Sequence, residues 1–186
     1  MKKGGCSSRW FKCYSRLDTY DGPVDLAIVV VPAKPVPGVF RECAEKGVKG
    51  IVLITAGFRE IEDPAGAVLH EEVAAIADSA EIPVVGPNTF GMINFHRGLN
   101  ASFTPEFSLL KKGAVALTPE FSLLKKGAVA LVSQSGGMSH LMGFLAMRMD
   151  MRFSKIVGLG NRLNVDFTEM LEYLDEDPDT RVIALY

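Results

Sequence analysis

The segment Ser133-Gln134-Ser135-Gly136-Gly137 has residue types and a spacing that suit the binding of an anion. An apolar run, residues 127–132, leads into it, and a helix-like pattern rich in Met and Leu follows. Glycine lets a ligand approach the backbone closely, and the free N–H groups of a helix's first turn carry partial positive charge, so this turn suits phosphate. The same pattern is compatible with an ordinary strand-to-helix turn, because α/β proteins contain many of them.

Length, composition and charge limit the class of protein. The chain has 186 residues, enough for one large or two small domains, and its 48% hydrophobic and 23% charged residues are typical of a soluble globular protein. A net charge of −2 argues against nucleic acid or an anionic membrane as the main partner. No apolar run approaches the roughly 20 residues that span a bilayer, and no secretory signal is recognisable. We therefore expect a cytoplasmic protein with no membrane or nucleic-acid partner.

The cysteines and histidines are not spaced as metal ligands. The three cysteines show no Cys-x-x-Cys spacing, and the three histidines lack the i, i+4 pair of a helical zinc site. We therefore expect reduced thiols and no protein metal site. The residues concerned are Cys6, Cys13, Cys43, His70, His96 and His140.

Three apolar runs in the first half of the chain predict a parallel sheet. Residues 24–31, 50–55 and 82–85 are rich in β-branched side chains, which is typical of strands buried on both faces. Ligands of such sheets bind beyond the carboxyl ends of the strands, so the loops after the three strands are expected to line one mouth. These loops are residues 31–34, 55–57 and 86–88.

Helices are predicted between these strands. The first extends from about residue 35 to residue 46, with Gly47 as its C-terminal cap, and the second begins at Asp63 and Pro64. The buried face of the second helix is expected to contain Leu69, Val73, Ile76 and Ala80. The opposite, exposed face is expected to contain His70, Glu71 and Glu72.

A perfect repeat interrupts the middle of the chain. Residues 92–103 resemble a linker or short extended pieces, and residues 104–117 are then repeated without change as residues 118–131. A functional repeat would have drifted, so a recent duplication or an artefact explains the identity better than a solenoid does. Only the second copy continues into Ser133, so we expect that copy to form the core strand and the first to be a tolerated insertion.

The pattern beyond the turn predicts a helix, a strand at residues 153–158, a helix at residues 167–174 and a strand beginning at residue 180. Either Asp166 or Thr168 is the expected cap of the later helix. The helix after the turn has a stripe that suits core packing. This stripe contains Met138, Leu141, Met142, Leu145 and Met149.

Taken in order, several segments resemble the NDP-forming acyl-CoA synthetases, a superfamily that includes ADP-forming acetyl-CoA synthetase and the α subunit of succinyl-CoA synthetase. The resemblance covers about residues 12 to 186, apart from one repeat copy. The segments that carry it are VDLAIVVVPAKPVPGVFRECAEKGVKGIVLITAGF, VVGPNTFGMIN, VALVSQSGG and VGLGNRLNVDFTEMLEYLDEDPDTRVIALY.

The resemblance implies an α/β fold with parallel sheets and a ligase reaction. It implies a partial Rossmann-like CoA-binding domain at residues 1–103, a linker with the duplication at 104–126, and the start of a flavodoxin-like, succinyl-CoA-ligase-like domain at 127–186. The family joins an acid to CoA at the expense of a nucleoside triphosphate, through an acyl phosphate and a phosphohistidine. CoA would be a substrate of this chain. ATP, ADP and magnesium would bind through other parts, chiefly a β-type ATP-grasp subunit or domain.

The resemblance also implies site residues by position. The loops that border CoA would contain Val31, Pro32, Ala33, Ile54, Thr55, Ala56, Pro87 and Asn88. The turn that stabilises the phosphohistidine would contain Ser133, Ser135, Gly136 and Gly137. The acyl site would involve His140, unless this is a plain helical histidine, together with Gly160 and Asn161, and Arg162 stands where a lysine is common.

Two departures from the family pattern carry expectations of their own. The family's opening Gly-rich strand and the segment with the phosphorylated histidine are not found in these residues, so we expect the chain alone to be inactive. In the strand order that the resemblance implies, the missing strands lie between the strands at Val24 and Ile51, which leaves a gap. The remaining strands must close this gap or pair with other neighbouring strands.

Two other functions remain open on the sequence. The first is a non-enzymatic CoA- or nucleotide-binding regulatory module. The second is an NAD-dependent Rossmann enzyme, which is disfavoured because no Gly-x-Gly-x-x-Gly follows a strand.

Overall fold

The computed structural model describes residues 12–103 and 125–186, which form two β-sheets with four α-helices and one short 3₁₀ helix, Leu17–Thr19. The first sheet is parallel, with strand order β1-β2-β3, and its two crossover helices lie between consecutive strands. These elements are β1 (Leu26–Val29), α1 (Val36–Lys46), β2 (Gly50–Leu53), α2 (Pro64–Ser79) and β3 (Val84–Val85). The strand–helix–strand alternation predicted from the sequence is confirmed, although each strand is shorter than its apolar run.

The first sheet has no gap. β1 pairs directly with β2 from Leu26 opposite Gly50 to Val29 opposite Leu53, so the strands on either side of the implied gap have closed up, which was one of the two expected outcomes. α1 connects these two adjacent parallel strands as a crossover helix. β1 forms one edge of the sheet, where Ile28 is 48% exposed.

Local chemistry sets the helix ends of this half. Asp63 caps α2 by accepting a hydrogen bond from the N–H of Ala65 at 2.9 Å, with Pro64 at the first helical position. Gly47 ends α1 in the left-handed conformation at φ 74°. Both ends agree with the sequence prediction.

The second sheet is mixed, with strand order β5-β4-β7-β6-β8. β6 pairs in parallel with β7 and β8, as predicted, while β4 and β5 form an antiparallel hairpin whose β4 lies against β7. The elements are β4 (Gly91–Asn94), β5 (Leu99–Ser102), β6 (Lys125–Ser133), α3 (Gly136–Met149), β7 (Arg152–Gly158), α4 (Phe167–Asp175) and β8 (Val182–Leu185). The hairpin replaces the linker that was one expectation for residues 92–103 and corresponds to the short extended pieces that were the other.

The second copy of the repeat forms the core strand. Residues 125–131 belong to β6, and Ala130 and Leu131 are buried between the neighbouring strands. The first copy, residues 104–117, lies outside the described residues.

The packed face of α3 differs from the predicted stripe. Ser139, Gly143 and Ala146 are its buried residues, whereas Leu141 is 49% and Met149 is 67% exposed. These small side chains let the helix backbone approach the sheet closely. The packed face of α3 is therefore centred on small residues and not on the Met and Leu side chains of the predicted stripe. α4 has its cap at Asp166, one of the two predicted candidates, in a capping box with Glu169.

The buried face of α2 is also shifted, because it contains His70. The prediction that His70 lies on the exposed face is wrong: it is 2% exposed, in the row Gly66, His70, Val73 and Ala77. Its ring packs edge-on against Phe58, with centroids 6.4 Å apart. Its Nδ1 atom has no hydrogen-bond partner among the described residues.

This buried histidine predicts a loss of stability in mild acid. Burial, followed by the positive charge of Arg59, lowers the pKa of His70 from its ordinary 6.5, against the smaller opposite effects of Glu71 and Glu60. Because the folded pKa lies below the unfolded one, the unfolded chain takes up the proton first. Stability should therefore be full above pH 6.5 and fall as the pH decreases through that value.

Urea denaturation at pH 7.5 and pH 5.5 measures this effect. The His70→Leu variant, which cannot titrate, should lose less free energy of unfolding over this interval than the parent chain. Equal losses in the two proteins would contradict the assignment.

Three observations bear on thiols, metals and membranes. The Cys43 thiol is free, and burial, followed by the charge of Glu42, raises its pKa to about 11. Within residues 12–103 and 125–186, no three His, Cys, Asp or Glu side chains are grouped as a metal site. No helix in those ranges is long and apolar enough to cross a membrane.

Candidate functional site

The turn between β6 and α3 is held by two serine hydroxyls. The buried Ser133 Oγ donates to the carbonyl of Ser135 and accepts from its N–H, both at 3.0 Å. Ser135 Oγ caps α3 by accepting from the N–H of Met138 at 3.2 Å. The N–H groups of Gly136 and Gly137 have no acceptor in the described part of the chain, as is usual in a first helical turn. The turn therefore offers two amide donors at the positive end of the α3 dipole.

A cleft of about 540 Å³ opens beside this turn. Its size lies within the range of small-molecule sites, and among the described residues that line it no side chain is an acid or a permanent cation. The N-terminus of α3 is therefore the main electrostatic feature of the cleft, and it favours an anion. The lining residues are Asn88, Thr89, Phe90, Phe103, Gln134, Ser135, Gly136, Gly137 and His140.

Five residues singled out from the sequence meet at this cleft: Ser135, Gly136 and Gly137 from the turn, His140 from α3, and Asn88 from the loop after β3. The ring of His140 is half-buried, and its centroid lies 4.8 Å from that of Phe144 on the same helix. Ser133 does not line the cleft, because its hydroxyl is used inside the turn.

The three loops at the carboxyl edge of the first sheet contact one another. Thr55 Oγ1 donates to the carbonyl of Val31 at 2.6 Å, and the N–H of Asn88 donates to the carbonyl of Thr55 at 2.9 Å. A Cβ atom added to Gly57 would lie 3.1 Å from that of Ala33. The predicted mouth is thus formed, and the remaining residues predicted there, Pro32, Ile54, Ala56 and Pro87, belong to the same loops.

The loop after β7 is hydrogen-bonded to this mouth. The N–H of Asn161 donates to the carbonyl of Pro87, and that of Leu163 donates to the carbonyl of Gly86, each at 2.8 Å. Gly160 has φ 58°, and a Cβ atom there would lie 2.1 Å from the carbonyl oxygen of Pro87. Only glycine fits at this position without moving the mouth.

Arg162 is fixed at the rim of the turn. Its Nη1 donates to both oxygens of Asp166 at 2.9 Å, and its Nε lies 2.7 Å from the amide oxygen of Gln134 when that amide is oriented to accept. The N–H of Phe167 and then the Arg162 guanidinium lower the pKa of Asp166. An Arg162–Asp166 ion pair therefore stands beside Gln134, next to the anion-suited helix start.

Sequence reasoning did not identify several residues of this region. The cleft wall also contains Thr89, Phe90 and Phe103, and Gln134 was noted only as part of the turn. Thr89 and Phe90 directly follow the predicted Pro87-Asn88 loop, which was the available signal. No local pattern indicated Phe103. It reaches the cleft because it directly follows β5, whose partner β4 lies against β7 in the second sheet.

Comparison with known proteins assigns a class to each half of the chain. The family model of the CoA binding domain matches residues 7–94, and that of the succinyl-CoA ligase like flavodoxin domain matches residues 126–186. The fold and the site thus define a CoA-binding α/β unit followed by a ligase-type flavodoxin-like unit. These two matches confirm the resemblance to the NDP-forming acyl-CoA synthetases that the sequence indicated.

The relatives are ADP-forming ligases. The chain is 38% identical to the α subunit of acetate–CoA ligase (ADP-forming) II of Pyrococcus furiosus, with 94% of this chain and 34% of that one aligned. It is 36% identical to acetate–CoA ligase (ADP-forming) of Methanocaldococcus jannaschii, with 94% and 22% aligned. It matches the dinucleotide forming acetyl-coenzyme A synthetase 1 of Ca. Korarchaeum cryptofilum with a TM-score of 0.81 at 32% identity, covering 97% of this chain and 35% of that one. The chain thus spans between a fifth and about a third of the length of these relatives.

Proposed function

We propose that this chain is the CoA-binding and phosphohistidine-stabilising part of an α-type subunit of an ADP-forming acyl-CoA synthetase. The whole enzyme would convert an acid, CoA and a nucleoside triphosphate into acyl-CoA, nucleoside diphosphate and phosphate. The observation that carries the proposal is that the capped N-terminus of α3 opens onto the same cleft as Asn88, which belongs to the loops of the CoA-binding half. The two reacting groups would then meet between the two halves.

The residues have distinct roles in this proposal. CoA would lie along the loops after β1, β2 and β3, which contain Val31, Pro32, Ala33, Ile54, Thr55, Ala56, Pro87 and Asn88. The amides of Gly136 and Gly137 would receive the phosphoryl group, while Ser135 caps the helix and Ser133 holds the turn. His140, Gly160 and Asn161 would border the acyl group.

The proposed organisation follows the two family matches. Residues 1–103 would be the CoA-binding segment and residues 127–186 the ligase segment, with residues 104–126 as a linker whose last two residues already belong to β6. A β-type ATP-grasp subunit or domain would bind ATP, ADP and magnesium. The acid and CoA would be the small-molecule partners of this chain.

A carboxylate placed in the mouth should repel the phosphates of CoA. The Ala56→Glu substitution changes an exposed loop residue, so the fold should be retained while CoA affinity falls at least tenfold. Isothermal titration of CoA into the purified chain measures this, with Ala67→Glu on the exposed face of α2 as the matched control. The CoA site would be refuted if the parent chain did not bind CoA or if both variants bound equally.

A carboxylate at the start of α3 should compete with the phosphoryl group. A Cβ atom at Gly137 would meet only Ser135 Oγ, at 3.8 Å, so Gly137→Asp should fold normally and place its charge at the positive helix end. Titration with phosphoimidazole should shift the amide resonances of Gly136 and Gly137 in the parent chain, whereas the variant should show no such response at the start of α3.

The matched control for this titration is Gly38→Asp. Gly38 lies in the first turn of α1, and a Cβ atom there would have no neighbour within 4 Å. This variant should respond to phosphoimidazole like the parent chain. Resonance shifts confined to other residues would disprove the assignment of the phosphoryl site.

A further inference from the structure

The carboxylate of Glu60 lies where the loop after β2 meets the loop after β7. It accepts hydrogen bonds from the N–H of Gly57 and, at 3.1 and 3.2 Å, from the N–H of Phe58. Glu60 Oε2 also accepts from the side-chain amide of Asn161. Burial alone would raise the pKa of Glu60, but these donors hold it below its ordinary value. At neutral pH the Glu60 carboxylate can therefore accept hydrogen bonds but cannot donate one.

The amide of Asn161 connects Glu60 to the cleft. Its nitrogen donates to Glu60, and its oxygen accepts from Asn88 Nδ2 at 3.4 Å. Three loops are thus joined through side chains: Glu60 follows β2, Asn88 follows β3 and Asn161 follows β7. Asn88 is a wall residue of the cleft.

The charge of Glu60 sets the direction of this chain of amides. A side-chain amide can be turned by 180°, which exchanges its donor and its acceptor. Because a carboxylate only accepts, Asn161 must present its nitrogen to Glu60 and its oxygen to Asn88. Asn88 must then present its nitrogen to Asn161, which leaves its own oxygen as the group available to a ligand.

We infer that Glu60 is a positioning residue: through Asn161 it fixes the orientation of the Asn88 amide and holds the loop after β7 against the CoA-binding half. The inference rests on the proposed function only for the identity of the ligand. The alternative is that Glu60 merely closes the Gly57–Phe58 turn, in which case Asn161 and Asn88 would not depend on it.

The decisive variant is Glu60→Gln, which keeps an acceptor for the Gly57 and Phe58 amides but can offer either a donor or an acceptor to Asn161. Hydrogen exchange of the Asn161 and Leu163 amides should accelerate about tenfold, and CoA affinity should fall three- to tenfold. The matched control is Glu62→Gln, which removes the same charge from an exposed residue of the same loop.

The double variant Glu60→Gln with Asn161→Asp tests the direction of the chain. The carboxylate introduced at position 161 would accept both from the amide introduced at position 60 and from Asn88, so exchange rates and CoA affinity should return to within twofold of the parent values. Unchanged exchange in Glu60→Gln, or failure of the double variant to recover, would overturn the inference. If the parent chain does not bind CoA but exchange follows the expected pattern, the CoA site is wrong and the positioning role stands.

Discussion

Replacing Asp177 with alanine is expected to lower the free energy of unfolding by about 3–5 kcal/mol, because it leaves a buried ammonium group without its partner. Lys155 lies in the middle of β7 and is 1% exposed, and its Nζ is paired with Asp177 Oδ2. Thr180 Oγ1 also donates to this carboxylate and lies 2.7 Å from Ser154 Oγ. Burial would raise the pKa of Asp177, but the hydrogen bonds from Lys155 and Thr180 hold it below its ordinary value, so Asp177 is a carboxylate at neutral pH.

Urea denaturation at neutral pH measures the effect of Asp177→Ala. Asp175→Ala, which removes an exposed carboxylate at the end of α4, should change stability by no more than about 0.5 kcal/mol. Lys155→Met should be better tolerated than Asp177→Ala, because it removes the buried charge and fills similar space. A loss below about 1 kcal/mol in Asp177→Ala would show that the ion pair is hydrated in solution.

The Gly160→Ala substitution is expected to lower the free energy of unfolding by about 3 kcal/mol. This loss combines the strain of an alanine in the left-handed conformation with the steric overlap of its Cβ atom. The added Cβ atom would lie 2.1 Å from the carbonyl oxygen of Pro87 and 2.8 Å from that of Asn88. Because both neighbours are backbone atoms of the mouth, relief requires the two halves to move apart. CoA affinity should therefore fall together with stability.

Thermal unfolding measures this cost, for which we expect a decrease of roughly 6–12 °C in Tm. Gly98→Ala is the matched control, since Gly98 also has a positive φ of 64° but no atom within 4 Å of the added Cβ. Its cost should be confined to backbone strain of about 1–2 kcal/mol. Equal losses for the two variants would mean that the contact with Pro87 is not close in solution.

Features set by neighbouring residues could be predicted from the sequence. The caps at Asp63, Gly47 and Asp166 each depend on one side chain or one backbone conformation next to a helix end. The parallel strands of the first half were also recognisable, because strands buried on both faces are continuously apolar.

Features set by distant contacts could not be predicted. The strand β5 has the polar sequence Leu-Asn-Ala-Ser and exists because it pairs with β4. Lys155 finds its partner 22 residues further along the chain, and Asn161 meets Glu60 from 101 residues away. His70 is buried because Phe58, from the preceding loop, covers that side of α2. Such contacts depend on how the elements pack, which no local pattern contains.

The placement of β6 also explains how a chain with two identical segments selects one of them. The two copies are identical over all 14 residues, so only the residues that flank them can distinguish one from the other, and those that follow the second copy belong to β6. After the second copy come Val132 and Ser133, which are fully buried in β6 between two neighbouring strands. After the first copy come Thr118 and Pro119, which would take the places of Val132 and Ser133 if that copy formed β6. Thr118 would then bury a hydroxyl in an apolar cluster, and Pro119 would put a residue without an N–H into a central strand. The fold thus discriminates between two equal sequences by their C-terminal context, and the selected copy is the one that leads directly into Ser135 and the start of α3.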